Sequence, residues 1–205
     1  MLYTPKAFSA TDADAHKMMK ENPFALLASW GNDDHFTPMP MFLSDDGHSL
    51  YGHFAGANPH SLIDPTEFRH RAIFTGPNAY ISPGWYEDQN QVPTWNYLAV
   101  HITGSLDLIN DPARVEAIVA RLTSIAEAPF EPSWTMDKLD PEKRDRLISS
   151  ITGCQLVIES IECKFKLSQN KSTESMNLVK GLRAHDSRSN DAAIADAMQI
   201  GRAHV

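Results

Sequence analysis

The chain has 205 residues, 42% of them hydrophobic, which is enough for one buried core or for a barrel domain with helical additions. With 26 acidic against 18 basic side chains the formal charge is −8, a field that repels polyanions at long range, so nucleic-acid contact would need a local basic patch. No apolar run approaches the roughly 20 residues of a membrane span and the opening MLYTPKAFSATDADAH lacks the blocks of a secretory signal, so the expected compartment is the cytoplasm, with no membrane partner.

In chain order, the first predicted element is a helix with Thr11 as N-cap and Ala15, Met18 and Met19 at helical spacing, closed by Asn22-Pro23. Short apolar runs follow at Phe24 to Trp30, Phe36 to Phe42, Ser49 to Ala55 and Arg71 to Ile81. The turn residues between them, such as Asp45-Asp46-Gly47, predict an antiparallel meander. A longer strand is predicted from Thr94 to Leu106, bulky on both faces and therefore central or at a subunit contact. Asp111-Pro112 starts a helix whose stripe is Val115, Ile118, Val119, Leu122 and Ile125, expected against the sheet, and Asp140-Pro141 repeats the signal.

The last strand is predicted from about Cys154 to Leu167, with an alternation that slips near Ser160 and suggests a bulge. A short helix carrying Met176, Val179 and Leu182 is expected from Ser172. Residues 1–185 read as one domain and 186–205 as a polar, then weakly helical, tail with no assigned chemistry. The resulting fold class is mainly β with flanking α-helices, six antiparallel strands that need closure to remove their edges. Cys154 and Cys163 match neither a disulfide scaffold nor zinc spacing and read as buried thiols; no metal site is expected.

Three segments carry chemistry. In Gly52-His53-Phe54-Ala55-Gly56-Ala57-Asn58-Pro59-His60 a strand ends in small residues and a capped proline turn. It reads either as a helix N-terminus whose amides, with His53 and His60, receive a phosphate, or as a plain capped turn. In Val92-Pro93-Thr94-Trp95-Asn96-Tyr97 two aromatics share one face and suit a planar ring or, equally, core or interface packing, while Asn96 offers hydrogen bonds opposite. In Lys164-Phe165-Lys166-Leu167-Ser168-Gln169-Asn170-Lys171 the lysines either neutralise a cofactor phosphate or form a solvated face. No nucleophile elbow or other catalytic motif stands out, so catalytic residues are unassigned.

Taken in order, these blocks, with Leu2-Tyr3-Thr4-Pro5, Pro23-Phe24-Ala25 and Gly76-Pro77-Asn78-Ala79-Tyr80-Ile81-Ser82-Pro83-Gly84-Trp85-Tyr86, resemble the PaiB-type family, described as FMN-binding negative transcriptional regulators. The resemblance covers roughly residues 1 to 183. It implies a six-stranded antiparallel split β-barrel of the FMN-binding type shared with pyridoxamine-phosphate-oxidase-like flavoproteins, and a homodimer with FMN at the subunit interface. Carried over by position, it implies cofactor contacts from Met39, Pro40, Met41, His53, Ala55, Asn58, His60, Trp95, Asn96, Lys166, Gln169 and Asn170. Where the family commonly carries arginine this chain has Gly56, leaving Lys166 and Lys171 as the next positive candidates. The implied role is a flavin-linked regulator. Its alternatives are a flavin-dependent oxidoreductase or a haem-binding split barrel, and DNA contact rests on the resemblance alone, against the charge.

Overall fold

Residues 1–171, 173–185 and 190–200 are described by a computed structural model. Helix α1 (Asp12–Glu21) starts on a reciprocal cap: Thr11 Oγ1 accepts from the Asp14 amide at 3.2 Å, and the Asp14 carboxylate accepts from the Thr11 amide at 2.9 Å. Seven strands follow: β1 (Phe24–Trp30), β2 (Asp34–Pro40), β3 (Phe42–Leu43), β4 (Ser49–Ala55), β5 (Arg69–Ile81), β6 (Thr94–Ile109) and β7 (Ile151–Lys166). The helices are α2 (Pro112–Glu127), α3 (Pro141–Ile148), α4 (Ser175–Ala184) and α5 (Asp191–Ile200). The strands form one sheet in the order β2-β1-β5-β6-β7-β4-β3. No helix among the described residues is long and apolar enough to cross a membrane.

The expected six strands are seven because the run Phe36 to Phe42 breaks at Met41. Pro38 and Pro40 have no amide hydrogen to give a ladder, and Met41 sends its own to the Pro23 carbonyl at 2.8 Å. Up to Pro40 the chain pairs with β1, Phe24 opposite Pro40; from Phe42 it pairs with β4, Phe42 opposite Tyr51. Met41 is thus the point where the chain leaves one sheet edge and joins the other, and its side chain is buried there. β7 runs without a break through Ser160, where Glu159 and Ser160 are both exposed, in keeping with the slipped alternation.

The chain divides into two compact units. One comprises Met19–Phe74 and His101–Ile161. Here α2 lays Val115 and Ile118 on Ile109 and Ile148, with Phe42, Tyr51 and Ile151 around them, as its stripe predicts. Asp111 caps α2 by accepting from the Arg114 amide, and Asp140 caps α3 through the Glu142 and Lys143 amides. Cys154 is fully buried, and burial pushes its thiol up to about 12.

The other unit comprises Met1–Met18, Thr75–Val100 and Glu162–Val205. Its core joins Ala79, Ile81, Tyr86 and Leu167 to Leu178 and Leu182 of α4 and Ile194 and Met198 of α5. The expected helix start at Ser172 and the tail residues 186–189 and 201–205 lie outside the described residues. The remainder of the tail is α5, a helix with three side chains, Ile194, Ala195 and Met198, in the core. The sequence suggests only weak helix there because the apolar stripe is short and matters only against α4. Cys163 is buried and its thiol is likewise raised to about 12, first by burial and then by Asp14 and Asp12.

Gly104 shows the tightest backbone approach: a Cβ there would stand 2.0 Å from the Val157 carbonyl oxygen of β7. A methyl group requires the two strands to separate. Gly104→Ala is predicted to cost about 3 kcal/mol in urea unfolding. Gly84→Ala, whose Cβ meets nothing nearer than the Ser82 hydroxyl at 3.6 Å, is predicted to leave the midpoint unchanged.

Candidate functional site

The alternation of β4 sends Leu50, Gly52 and Phe54 into the core and leaves Tyr51 and His53 half-buried and Ala55 exposed. Gly52 allows the end of β2 to approach: a Cβ there would meet the Met39 methyl at 2.7 Å and the Pro40 carbonyl at 3.1 Å. Met39, Pro40 and Met41 therefore lie beside the start of the 52–60 block, with both methionines buried and Pro40 exposed. His53 Nδ1 is buried without a partner, and burial lowers the ring's pKa.

Beyond Ala55 the expected helix is a single 3-10 turn, Pro59–Ser61. Four amides of the 56–61 segment have partners. Gly56 N donates to the Ser150 carbonyl at 2.8 Å, Asn58 N to the Ala55 carbonyl at 2.9 Å, and Ser61 N to the Asn58 carbonyl at 2.9 Å. His60 N donates to Asn58 Oδ1 at 3.0 Å. Four of the amides anticipated for a phosphate, those of Gly56, Asn58, His60 and Ser61, are thus spent, two of them on Asn58 itself.

The His60 side chain, 1% exposed, enters a buried polar chain. His70 Nε2 lies 2.9 Å from the Pro65 carbonyl, which can only accept, so that nitrogen carries the proton and His70 Nδ1 accepts. Ser29 Oγ, 2.7 Å from His70 Nδ1, must donate to it, and accepts in turn from His60 Nε2 at 2.7 Å. His60 Nδ1 then accepts from Thr37 Oγ1 at 2.9 Å, and Thr37 accepts from Asn58 Nδ2 at 3.3 Å. Every proton has one place, and both imidazoles are neutral. Burial first, then the neighbouring rings of His35 and His70, hold the His60 pKa down at about 4. Burial also lowers His70, against the opposing pull of the Pro65 carbonyl and Glu159. His35 stacks on His60 with centroids 5.4 Å apart.

The lysine segment belongs to the other unit. Lys164 is buried rather than solvated: its ammonium donates to the Tyr3 carbonyl at 2.9 Å and sits 5.4 Å from the ring centroids of both Tyr3 and Tyr97. Lys166 Nζ donates to Thr94 Oγ1 and, at 2.7 Å, to the Trp95 carbonyl. Lys171 Nζ donates to Gln91 Oε1 at 3.1 Å. The bonds of all three ammoniums go to neutral oxygens. Desolvation, and then Lys164, lower the Lys166 pKa.

The strand brings Trp95 and Lys166 together, but not Asn96 with them. Trp95 is 47% exposed and meets Tyr80 edge-on. Asn96 is fully buried on the opposite face, accepting from Ser168 Oγ at 3.1 Å and donating to Met198 Sδ at 3.5 Å. Gln169 folds back on its own chain, accepting from Leu167 N at 2.7 Å and donating to the Phe165 carbonyl at 2.5 Å. Asn170 is exposed.

Ser29, Thr37, His35 and His70 escape the sequence reading. Two of them had a signal: Ser29 follows Ala25 and Leu27, and His70 precedes Ala72 and Phe74, on the inward parity of their strands. A polar residue on a core-facing parity must find a partner.

Comparison with known proteins bears on the fold and the family. The family model described as "Putative FMN-binding domain" matches residues 2–160. "Protease synthase and sporulation protein PAI 2" of Bacillus subtilis is 30% identical over 204 residues, covering 97% of each chain. Among solved structures, a conserved hypothetical protein of Mycobacterium tuberculosis superposes with a TM-score of 0.59 at 11% identity, covering 82% of this chain and 92% of that one. The flavocytochrome Anf3 of Azotobacter vinelandii gives 0.58 at 16%, covering 77% and 69%. At these identities the likenesses speak for the split-barrel fold alone. The chain belongs to the FMN-binding-domain family and, within it, to the PaiB-like proteins.

Proposed function

We propose that this protein is a homodimeric FMN-binding regulator in which the cofactor's phosphate is held by Lys166 and Lys171. The observation that carries this reading is charge. In a chain of net charge −8, the Lys164, Lys166 and Lys171 ammoniums donate to neutral oxygens, and the lowered Lys166 pKa is relieved when a dianion arrives. Ammonium donors suit a phosphate, and Trp95, whose carbonyl Lys166 holds and whose indole is half exposed, offers a face to a planar ring. When bound, FMN would supply electron transfer; the lysines anchor it and Trp95 orients it.

The regulatory role is inferred from the B. subtilis relative, whose name ties that protein to protease synthesis and sporulation. The acidic charge opposes direct contact with DNA, so regulation runs through a protein partner that senses flavin occupancy. The dimer is supported by the outer face of β1 and β2, where Phe24 is 63% and Phe36 59% exposed.

Reconstitution with FMN is predicted to give visible flavin absorbance. The Lys166→Ala, Lys171→Ala double variant is predicted to bind FMN about 10- to 100-fold more weakly and riboflavin, which lacks the phosphate, unchanged. Equal loss for both ligands, or no effect on FMN, would contradict the phosphate assignment. Sustained oxidation of nicotinamide nucleotides by the reconstituted protein would instead favour an oxidoreductase. Sedimentation velocity is predicted to show a dimer that Phe36→Glu converts to monomer.

A further inference from the structure

We propose that the Ser29–His60–His70 chain is an acid-released latch that fastens the segment from Gly56 to Phe68 onto β1, β2 and β5. The segment's other ties are the Gly56 amide, which donates to the Ser150 carbonyl at 2.8 Å, and the Phe68 ring, edge-on to His35 at 5.5 Å. Its two 3-10 turns, Pro59–Ser61 and Pro65–Glu67, are capped locally by Asn58 and Asp64. The side-chain bonds that fix it to the strands pass through the two histidines and their hydroxyl partners. His60 reaches Ser29 of β1 and Thr37 of β2, Asn58 reaches Thr37, and His70 of β5 reaches back to the Pro65 carbonyl.

The chain tolerates no added proton. If His70 Nδ1 is protonated, Ser29 Oγ either accepts from both imidazoles, stranding its own hydrogen at a fully buried site, or turns to donate to His60 Nε2, which forces the His60 proton onto Nδ1. If His60 Nδ1 is protonated, Thr37 accepts from both His60 and Asn58, and the Thr37 hydrogen loses its acceptor. Neither end can pass the charge on. The Asn58 amide nitrogen does not take up a proton, and neither does the Pro65 carbonyl. An added proton therefore stays within the array, where either placement costs a hydrogen bond.

The surrounding groups do not rescue the charge. His35 of β2 stacks on His60 and adds repulsion if protonated. Phe54 of β4 presents a ring 5.0 Å from His60. Asp64 is turned toward the Thr66 amide and hydroxyl at 3.0 and 2.7 Å. Glu159 of β7 favours a charged His70, but its carboxylate already accepts from Ser105 Oγ at 2.5 Å.

The sign follows from linkage. A base whose pKa is lower when held than when free takes up protons on release, so acid favours release. The hold is complete above the free histidine value of 6.5 and weakens as pH falls toward the held value of about 4. For His60 alone, the opening constant rises about 30-fold between pH 7.5 and pH 5.

Amide exchange of the full chain, normalised at each pH to the intrinsic rate, tests this. The expected result is an increase of about 30-fold or more in the opening of residues 56–68 on going from pH 7.5 to pH 5, with β6 and β7 still protected. The His60→Gln, His70→Gln variant is expected to open to the same extent at both pH values. A flat wild-type response, a loss of protection shared by the whole chain, or an unchanged pH response in the variant would each overturn the latch. If the variant does not fold, the imidazole nitrogen shifts of the wild type decide. Both rings protonated at Nε2 and uncharged at pH 6 support the proposal; an imidazolium at either position rejects it.

Discussion

Ser29 is the hinge on which the polar interior of the larger unit turns. A serine placed on the inward parity of β1 has no water to satisfy it, and it solves that by donating to one imidazole and accepting from another. The choice propagates. It fixes the tautomer of His70, then that of His60, then the rotors of Thr37 and the amide orientation of Asn58. A turn that sequence motifs mark as a ligand loop is thereby held by its own side chains, and His60 has no ring nitrogen left for anything else.

That result shifts the weight of the cofactor site. Small residues and a proline turn after a strand look alike whether their amides point at a phosphate or at one another, and only the bonding pattern separates the two. Here the amides of Gly56, Asn58, His60 and Ser61 are all satisfied internally. Lys166, at the end of β7, and Lys171 behave the other way: they hold carbonyl, hydroxyl and amide oxygens, partners too weak to neutralise a charge.

Much of the fold was legible. Alternating apolar residues located the long strands, and the Asp-Pro starts located α2 and α3 to the residue. The break at Met41 was not legible, because Phe36 to Phe42 reads as one mostly apolar run. The break follows from two prolines and from a change of partner strand that only the tertiary arrangement defines. Helix α5 was underrated for a related reason: its apolar side chains are few and acquire meaning only against α4. At the site, motif position singled out His60 and Asn96 as cofactor contacts but could not tell that both would be buried and internally bonded. Lys164, which reads as a surface residue, is buried between two tyrosine rings, a placement that depends on the N-terminal segment crossing β7.

The proposed cofactor site assigns the phosphate of FMN to Lys166 and Lys171, at and beyond the end of β7, and not to the turn capped by Asn58. A crystal structure of the FMN complex tests this most directly. The account predicts phosphate oxygens within about 3 Å of the Lys166 or Lys171 ammonium, and His60 still bonded to Ser29 and Thr37. A phosphate seated on the amides of residues 56–61, with the His60 ring swung out to meet it, would contradict it.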